Sequence, residues 1–180
     1  VLDADALTGF LREFSDPEYA GFTGMPEDGS VGEAWVNAYH SYAKEGTPVG
    51  FPVESVDAVL EEVQVPLAVA AWNATAAVLM PTPDPITGAA NFASVVEAAV
   101  LAYWAVAAPA TVFPGATLIT PPVPGPLTAG LLAAVVGQSV EPAISTLTNE
   151  QKLAAIGGPI DVATRTVTVT FPGPLVFALG

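Results

Sequence analysis

Apolar positions recur at helical spacing through most of the chain and switch to strict alternation only near its end. Residues 3–14 read as a short amphipathic helix. Asp16 followed by Pro17 marks an N-cap and first helical position, so a further turn is expected there. The clearest helix follows. Ser30 and Glu33 have capping-box spacing, and Trp35, Ala38, Tyr39, Tyr42 and Ala43 fall on one face. Lys44 suits the C-terminal end and Gly46 stops it. A second long helix is predicted over 54–79. Pro66 lies inside it and predicts a break or kink, because proline removes one hydrogen bond and clashes with the preceding turn.

Residues 81–88 read as a rigid, Pro-rich linker. Ser94 and Glu97 repeat the capping-box spacing, and from Ala98 to Phe113 the only clearly polar residue is Thr111. Pro109, Pro114 and Gly115 interrupt that run, and no basic cluster flanks it. It therefore reads as a buried helix rather than a membrane span, which needs about 20 apolar residues. A short extended piece at Thr117–Thr120 leads into a stiff polyproline-like passage. Further helices are expected over 127–138 and 148–158. The second opens on a Thr148/Gln151 capping box and stops at the Gly157–Gly158 pair.

Alternation then sets in. Thr164, Thr166, Thr168 and Thr170 lie on one side, and Val167, Val169 and Phe171 on the other. β-Branched residues at period two predict a strand over Thr164–Phe171, ended by Pro172 and Pro174. A lone strand leaves its backbone groups unpaired. Two partners are open to it: Thr117–Thr120 of the same chain, or a strand of a neighbouring subunit, which is the favoured option. The expected fold is mainly α (α+β), a bundle of about five to six helices with a small β element. It is read as a single domain, 1–180. An acidic helical part spans 1–80, the linker 81–88, and an apolar helical part 89–158 with a Pro-rich arm at 114–126. A strand and tail fill 159–180.

Charge sharpens this picture. Only 12% of the 180 residues are charged and 52% are hydrophobic, with a net charge of −14. The first 62 residues hold thirteen of the eighteen acids and two of the four bases, so the remainder is nearly uncharged. Phosphates need Lys and Arg to neutralise them, so direct nucleic-acid binding is excluded as a reading. An anionic membrane is disfavoured for the same reason. So apolar a chain has little polar surface with which to live alone, and burial against other subunits or against lipid is expected.

Candidate chemistry is sparse. With no cysteine, disulfides and thiolate metal sites are excluded. His40, the single histidine, reads as a surface or partly buried helix residue. The acid pairs Asp3/Asp5, Glu27/Asp28 and Glu61/Glu62 read as solvated charge rather than a metal site or an acid–base pair. Phosphate-loop, dinucleotide, nucleophile-elbow and zinc-protease motifs are not found. Trp35, Trp72 and Trp104, with Tyr39, Tyr42 and Tyr103, read as core rather than a ligand pocket. No catalytic residue, cofactor or metal is expected.

The order of features has one likeness. An acidic Trp/Tyr helix precedes Ala-rich helices with "YWAVAAPATVFPGA". The Pro-rich "LITPPVPGP", a short helix and the terminal "TRTVTVTFPGP" follow. Over residues 30–174 this resembles small structural proteins of tailed bacteriophages, of the neck, connector or tail-adaptor kind. The resemblance implies a non-enzymatic virion component, assembled in the host cytoplasm. It implies a homo-oligomeric ring whose partners are other virion structural proteins. Extended segments would lock onto neighbours, with Thr166, Val167, Thr168, Val169, Thr170, Phe171, Leu118 and Ile119 as the candidate subunit interface. Two other readings stand beside it. One is a membrane-associated or lipid-binding protein using 95–119 and 127–136. The other is a small helical ligand-binding domain or enzyme.

Overall fold

The computed structural model describes residues 1–25, 30–80, 84–138, 146–173 and 175–180. The Glu27/Asp28 pair, Pro81 to Pro83 of the expected linker, and Pro174 lie outside them. The protein is mainly helical with a small antiparallel sheet, as the pattern predicts.

Helix α1 spans Ala4–Ser15 and α2 Val31–Ala43, capped by the side chains of Asp3 and Ser30, of which the second was expected. The predicted 54–79 helix is divided into α3 (Asp57–Val59), a π-helical turn (Leu60–Gln64) and α4 (Val65–Leu79). Pro66 sits in the first turn of α4, and the N–H of Val65 reaches back five residues to the carbonyl of Leu60. The wider π turn absorbs the proline at the place where a break was expected.

Helix α5 spans Pro85–Trp104 and α6 Pro109–Val112. Half of the expected linker is therefore helical. Pro85 tolerates the first helical position, and the Asp84 carboxylate accepts the N–H of Thr87 at 2.7 Å. The buried helix read over Ala98–Phe113 ends at Trp104, and α6 begins anew at Pro109, one of the residues expected to interrupt the run. The Ser94/Glu97 capping box is not formed. Ser94 lies mid-helix, where its hydroxyl donates to the Ala90 carbonyl at 3.0 Å.

Helix α7 spans Pro126–Gln138 and α8 Asn149–Thr164. The Thr148/Gln151 capping box is present in full. However, α8 does not stop at Gly157–Gly158. It continues through Pro159, because the small residues serve packing rather than termination. Gly157 is buried against α1, where a Cβ would come within 3.3 Å of the Thr8 hydroxyl. On α7, a Cβ on Gly130 would stand 2.9 Å from the Pro159 side chain. Thr164, expected in the strand, closes the helix instead, with its hydroxyl bonded to the Ile160 carbonyl at 2.8 Å.

Among the described residues, six long helices close a ring. α1 packs on α2, α2 on α4, α4 on α5, α5 on α7, α7 on α8, and α8 again on α1. One continuous apolar cluster fills it, including Leu7, Leu11, Tyr39, Trp72, Val96, Leu131 and Ile160. Strands β1 (Leu118–Thr120), β2 (Thr168–Phe171) and β3 (Leu175–Ala178) form an antiparallel sheet in that order. β3 was not anticipated. Gly173, at φ +101°, turns the chain after Pro172, so the apolar terminal residues pair back on β2. Leu179 is buried and Gly180 exchanges hydrogen bonds with Thr47.

Candidate functional site

The candidate interface residues do come together. Leu118 stands opposite Thr170, Ile119 opposite Val169, and Thr120 opposite Thr168. The predicted alternation holds from Thr166 to Phe171: Val167, Val169 and Phe171 are buried, Thr168 and Thr170 half-exposed and Thr166 exposed, whereas Thr164 is fully buried. The partner of this strand is therefore Leu118–Thr120 of the same chain. The favoured option, a strand from a neighbouring subunit, is corrected for β2, because β1 fills one edge and β3 the other. The Pro-rich arm also lies on its own body, with Ala116, Ile119, Pro122 and Leu127 buried. Backbone hydrogen bonding takes every partner it needs from within the chain at β2.

The polar chemistry of the molecule is gathered inside the bundle. Trp104 Nε1 donates to the Tyr39 hydroxyl at 2.7 Å. Tyr39 lies 2.9 Å from the Thr164 hydroxyl, which itself donates to Ile160. The direction of each bond follows: Tyr39 accepts from Trp104 and donates to Thr164. Burial pushes the Tyr39 hydroxyl far above its ordinary pKa. Nearby, the Tyr42 hydroxyl donates to Asp161 Oδ1 at 2.5 Å, and Arg165 Nε donates to Asp161 Oδ2 at 2.9 Å. Arg165 also donates to the Leu2 carbonyl at 2.7 Å, tying the N-terminus to α8.

His40 is more buried than its sequence context implied, at 8% exposure. Its Nε2 faces Asp57 Oδ1 at 3.2 Å and its Nδ1 lies 2.9 Å from the Tyr103 hydroxyl. This arrangement suits the neutral ring, with Nε2–H donating to the carboxylate and Nδ1 accepting from Tyr103. Lys44 bonds the other Asp57 oxygen at 3.3 Å. Tyr, His and Asp stand in a row, yet Tyr103 is fully buried and its hydroxyl is held protonated by desolvation. The row joins α2 to α3 and α5.

Burial lowers the His40 pKa, as does Lys44, and outweighs the opposing pull of Asp57 and Glu61. An unfolded imidazole takes a proton near pH 6.5 and the folded one only at lower pH. Between those values protons bind the unfolded chain preferentially, so this contribution to stability is complete above about pH 6.5 and is lost as the pH falls. Urea midpoints at pH 7.5 and 5.5 are expected to drop on acidification for the native chain, and to drop less for His40→Gln.

The aromatic side chains are core. Trp35 stacks on Trp72, with ring centroids 5.8 Å apart. The cavity they share with Leu7, Leu11 and Val100 is about 20 Å³ and wholly apolar, close to the size of one water. Among the described residues, no group of three or more His, Asp or Glu is arranged to hold a metal ion.

A different array lies on the outside. α4, α5 and α7 are consecutive in the ring, and together they carry one charged residue, Glu97. Even that carboxylate is engaged. It accepts the N–H groups of Gly125 and Thr128 at 2.8 and 3.1 Å, capping α7 from the neighbouring helix. Val63, Leu67 and Val78 are 47%, 49% and 81% exposed, and Ile86 66%. The acids of α1 and α2 stand on the other half of the ring. Compared with protein-family models, with curated proteins and with solved structures, the chain matches none of them.

Proposed function

We propose that the chain is a non-enzymatic structural subunit of a phage-like particle, of the neck, connector or tail-adaptor kind. It works as a homo-oligomer, the ring implied by the order of its elements. The uncharged half of the bundle wall carries this reading. A protein of net charge −14 keeps three adjacent helices almost free of charge and leaves large apolar side chains exposed on two of them, Leu67 and Val78 on α4 and Ile86 on α5. Exposed apolar side chains without neighbouring charge suit an interaction site, and the acidic half supplies solubility. Other virion proteins are the expected partners, with no cofactor and no direct nucleic-acid contact.

One observation favours the lipid reading. Ile86–Trp104 of α5 is long and apolar enough to cross a membrane. Against it, eight α5 side chains from Ala89 to Trp104 are at most 5% exposed, packed in the bundle core. Light scattering on a size-exclusion column without detergent, with negative-stain images of the same peak, tests the proposal. A defined oligomer is expected. An 18.2 kDa monomer at every concentration would overturn it. A requirement for detergent would favour lipid.

A further inference from the structure

A buried polar layer follows the apolar cavity of the bundle. Val36 of α2, Ala68 of α4 and Ala99 of α5 share that cavity. α4 runs against the other two helices. Its Trp72 meets Trp35 and Phe92 toward one end, while Asp57, upstream of α4, meets His40 toward the other. One turn forward on α2 and α5, and one turn back from Ala68, therefore reach His40, Tyr103 and Gln64 at one level. All three are buried, at 8%, 0% and 3% exposure. Gln64 closes the π turn, and that turn packs on α5. Among the described residues, its Oε1 is a buried side-chain oxygen without a hydrogen-bond partner. An orphan of that kind costs stability and calls for a reason.

We propose that Gln64 is the second acceptor of a proton-driven hydrogen-bond switch. When His40 takes a proton, the Tyr103 hydroxyl turns from His40 to Gln64. In the neutral form Tyr103 donates to Nδ1 at 2.9 Å, and Nε2–H faces Asp57 at 3.2 Å. A proton from solvent adds at the Nδ1 lone pair. Nδ1–H then points at the Tyr103 oxygen, which must accept it, so the phenolic hydrogen rotates away and needs a new acceptor. The neighbouring Tyr39 ring packs edge-on at 5.2 Å, but its hydroxyl is already engaged by Trp104 and Thr164. Gln64 Oε1 is the acceptor left at that level. Charges around the ring are Asp57 on α3 and Glu61 on the π turn, which favour the imidazolium, and Lys44 on α2, which opposes it. Tyr103 keeps its proton throughout. Packing alone joins the π turn to Tyr103 of α5 at neutral pH, and the acid form adds a hydrogen bond between them. The switch goes beyond the assembly reading and does not depend on it.

His40 is the single histidine, so its ring protons titrate as one NMR signal. Gln64→Met keeps the length of the side chain and removes the acceptor. It is expected to lower the His40 midpoint by about 0.5–1 pH unit, the size of one hydrogen bond made in the protonated form alone. On a Tyr103→Phe background the same change is expected to leave the midpoint where it is, because the connection is already cut. Stability separates this from a merely structural role. At pH 7.5 Gln64→Met removes an unpaired atom and is expected not to lower the urea midpoint. Between pH 7.5 and 5.5 that midpoint is expected to fall further than in the native chain. An unmoved His40 midpoint in Gln64→Met would overturn the switch. So would an equal shift on the Tyr103→Phe background, or a loss of stability that is already present at pH 7.5.

Discussion

Trp104→Ala is expected to destabilise the protein by about 4 kcal/mol, within the range for deleting a fully buried large aromatic. Trp104 has no exposed surface and packs edge-on against Tyr103, with ring centroids 5.2 Å apart. It is also the donor that begins the Trp104–Tyr39–Thr164 chain. Truncation leaves a cavity where α2, α5 and α8 meet and removes one partner of Tyr39. Domains of this size have roughly 5–15 kcal/mol of total stability, so a large share of the margin is at stake. The melting temperature should fall by about 12 °C. Trp104→Phe separates packing from hydrogen bonding. It keeps most of the ring volume, and Tyr39 can still donate to Thr164, so a loss of about 1–2 kcal/mol is expected. Urea unfolding of both variants checks this. Equal losses would mean that the hydrogen bond, not the volume, dominates.

Asp161→Ala is the second large effect, at about 3 kcal/mol. The carboxylate accepts from Tyr42, which is 1% exposed, and from Arg165. Without it the Tyr42 hydroxyl is buried with no acceptor at that place. Arg165 is affected less, because its side chain is 41% exposed and reaches water. Tyr42→Phe, which removes the hydroxyl and leaves the Asp161–Arg165 pair, should lose only about 1 kcal/mol. A double-mutant cycle between the two positions measures the coupling. The pH dependence gives an independent check. Burial raises the Asp161 pKa, but hydrogen bonds from Arg165 and Tyr42 outweigh it and hold the carboxyl below its usual range. An unfolded aspartate titrates near pH 3.9. The stabilisation is therefore complete above that value and lost as the pH falls through the lower folded one. Asp161→Ala should flatten the acid limb of stability against pH there, while His40→Gln acts at higher pH.

Local chemistry was legible wherever the partner of a group is close in sequence. Ser30 caps α2, Thr148 and Gln151 close their box on α8, and the Thr/Val alternation sorts the faces of β2. The same local spacing misled at Ser94 and Glu97. Nothing within three residues of Glu97 reveals that its carboxylate belongs to the first turn of α7. Gly157–Gly158–Pro159 likewise reads as a helix stop on backbone preference alone. The close approach of α1 and of Gly130 on α7 gives those small residues another reason to be there. β3 was hidden because its pairing depends on a turn at Gly173 and on the docking of Leu179.

For the candidate site, the uneven charge was plain in the sequence: residues 63–180 hold only seven of the twenty-two charged side chains. Composition and periodicity determined a helical body, an acidic first third and one terminal strand, because those features depend on neighbours a few bonds away. Only the tertiary structure decided that β2 finds both its partners within the chain. It alone placed α4, α5 and α7 side by side as one uncharged wall, and enclosed His40, Tyr39 and Asp161 in hydrogen bonds to distant residues. Those outcomes turn on which helix faces are buried against one another. That is settled by packing the whole chain, since no short segment carries the free energy that selects it.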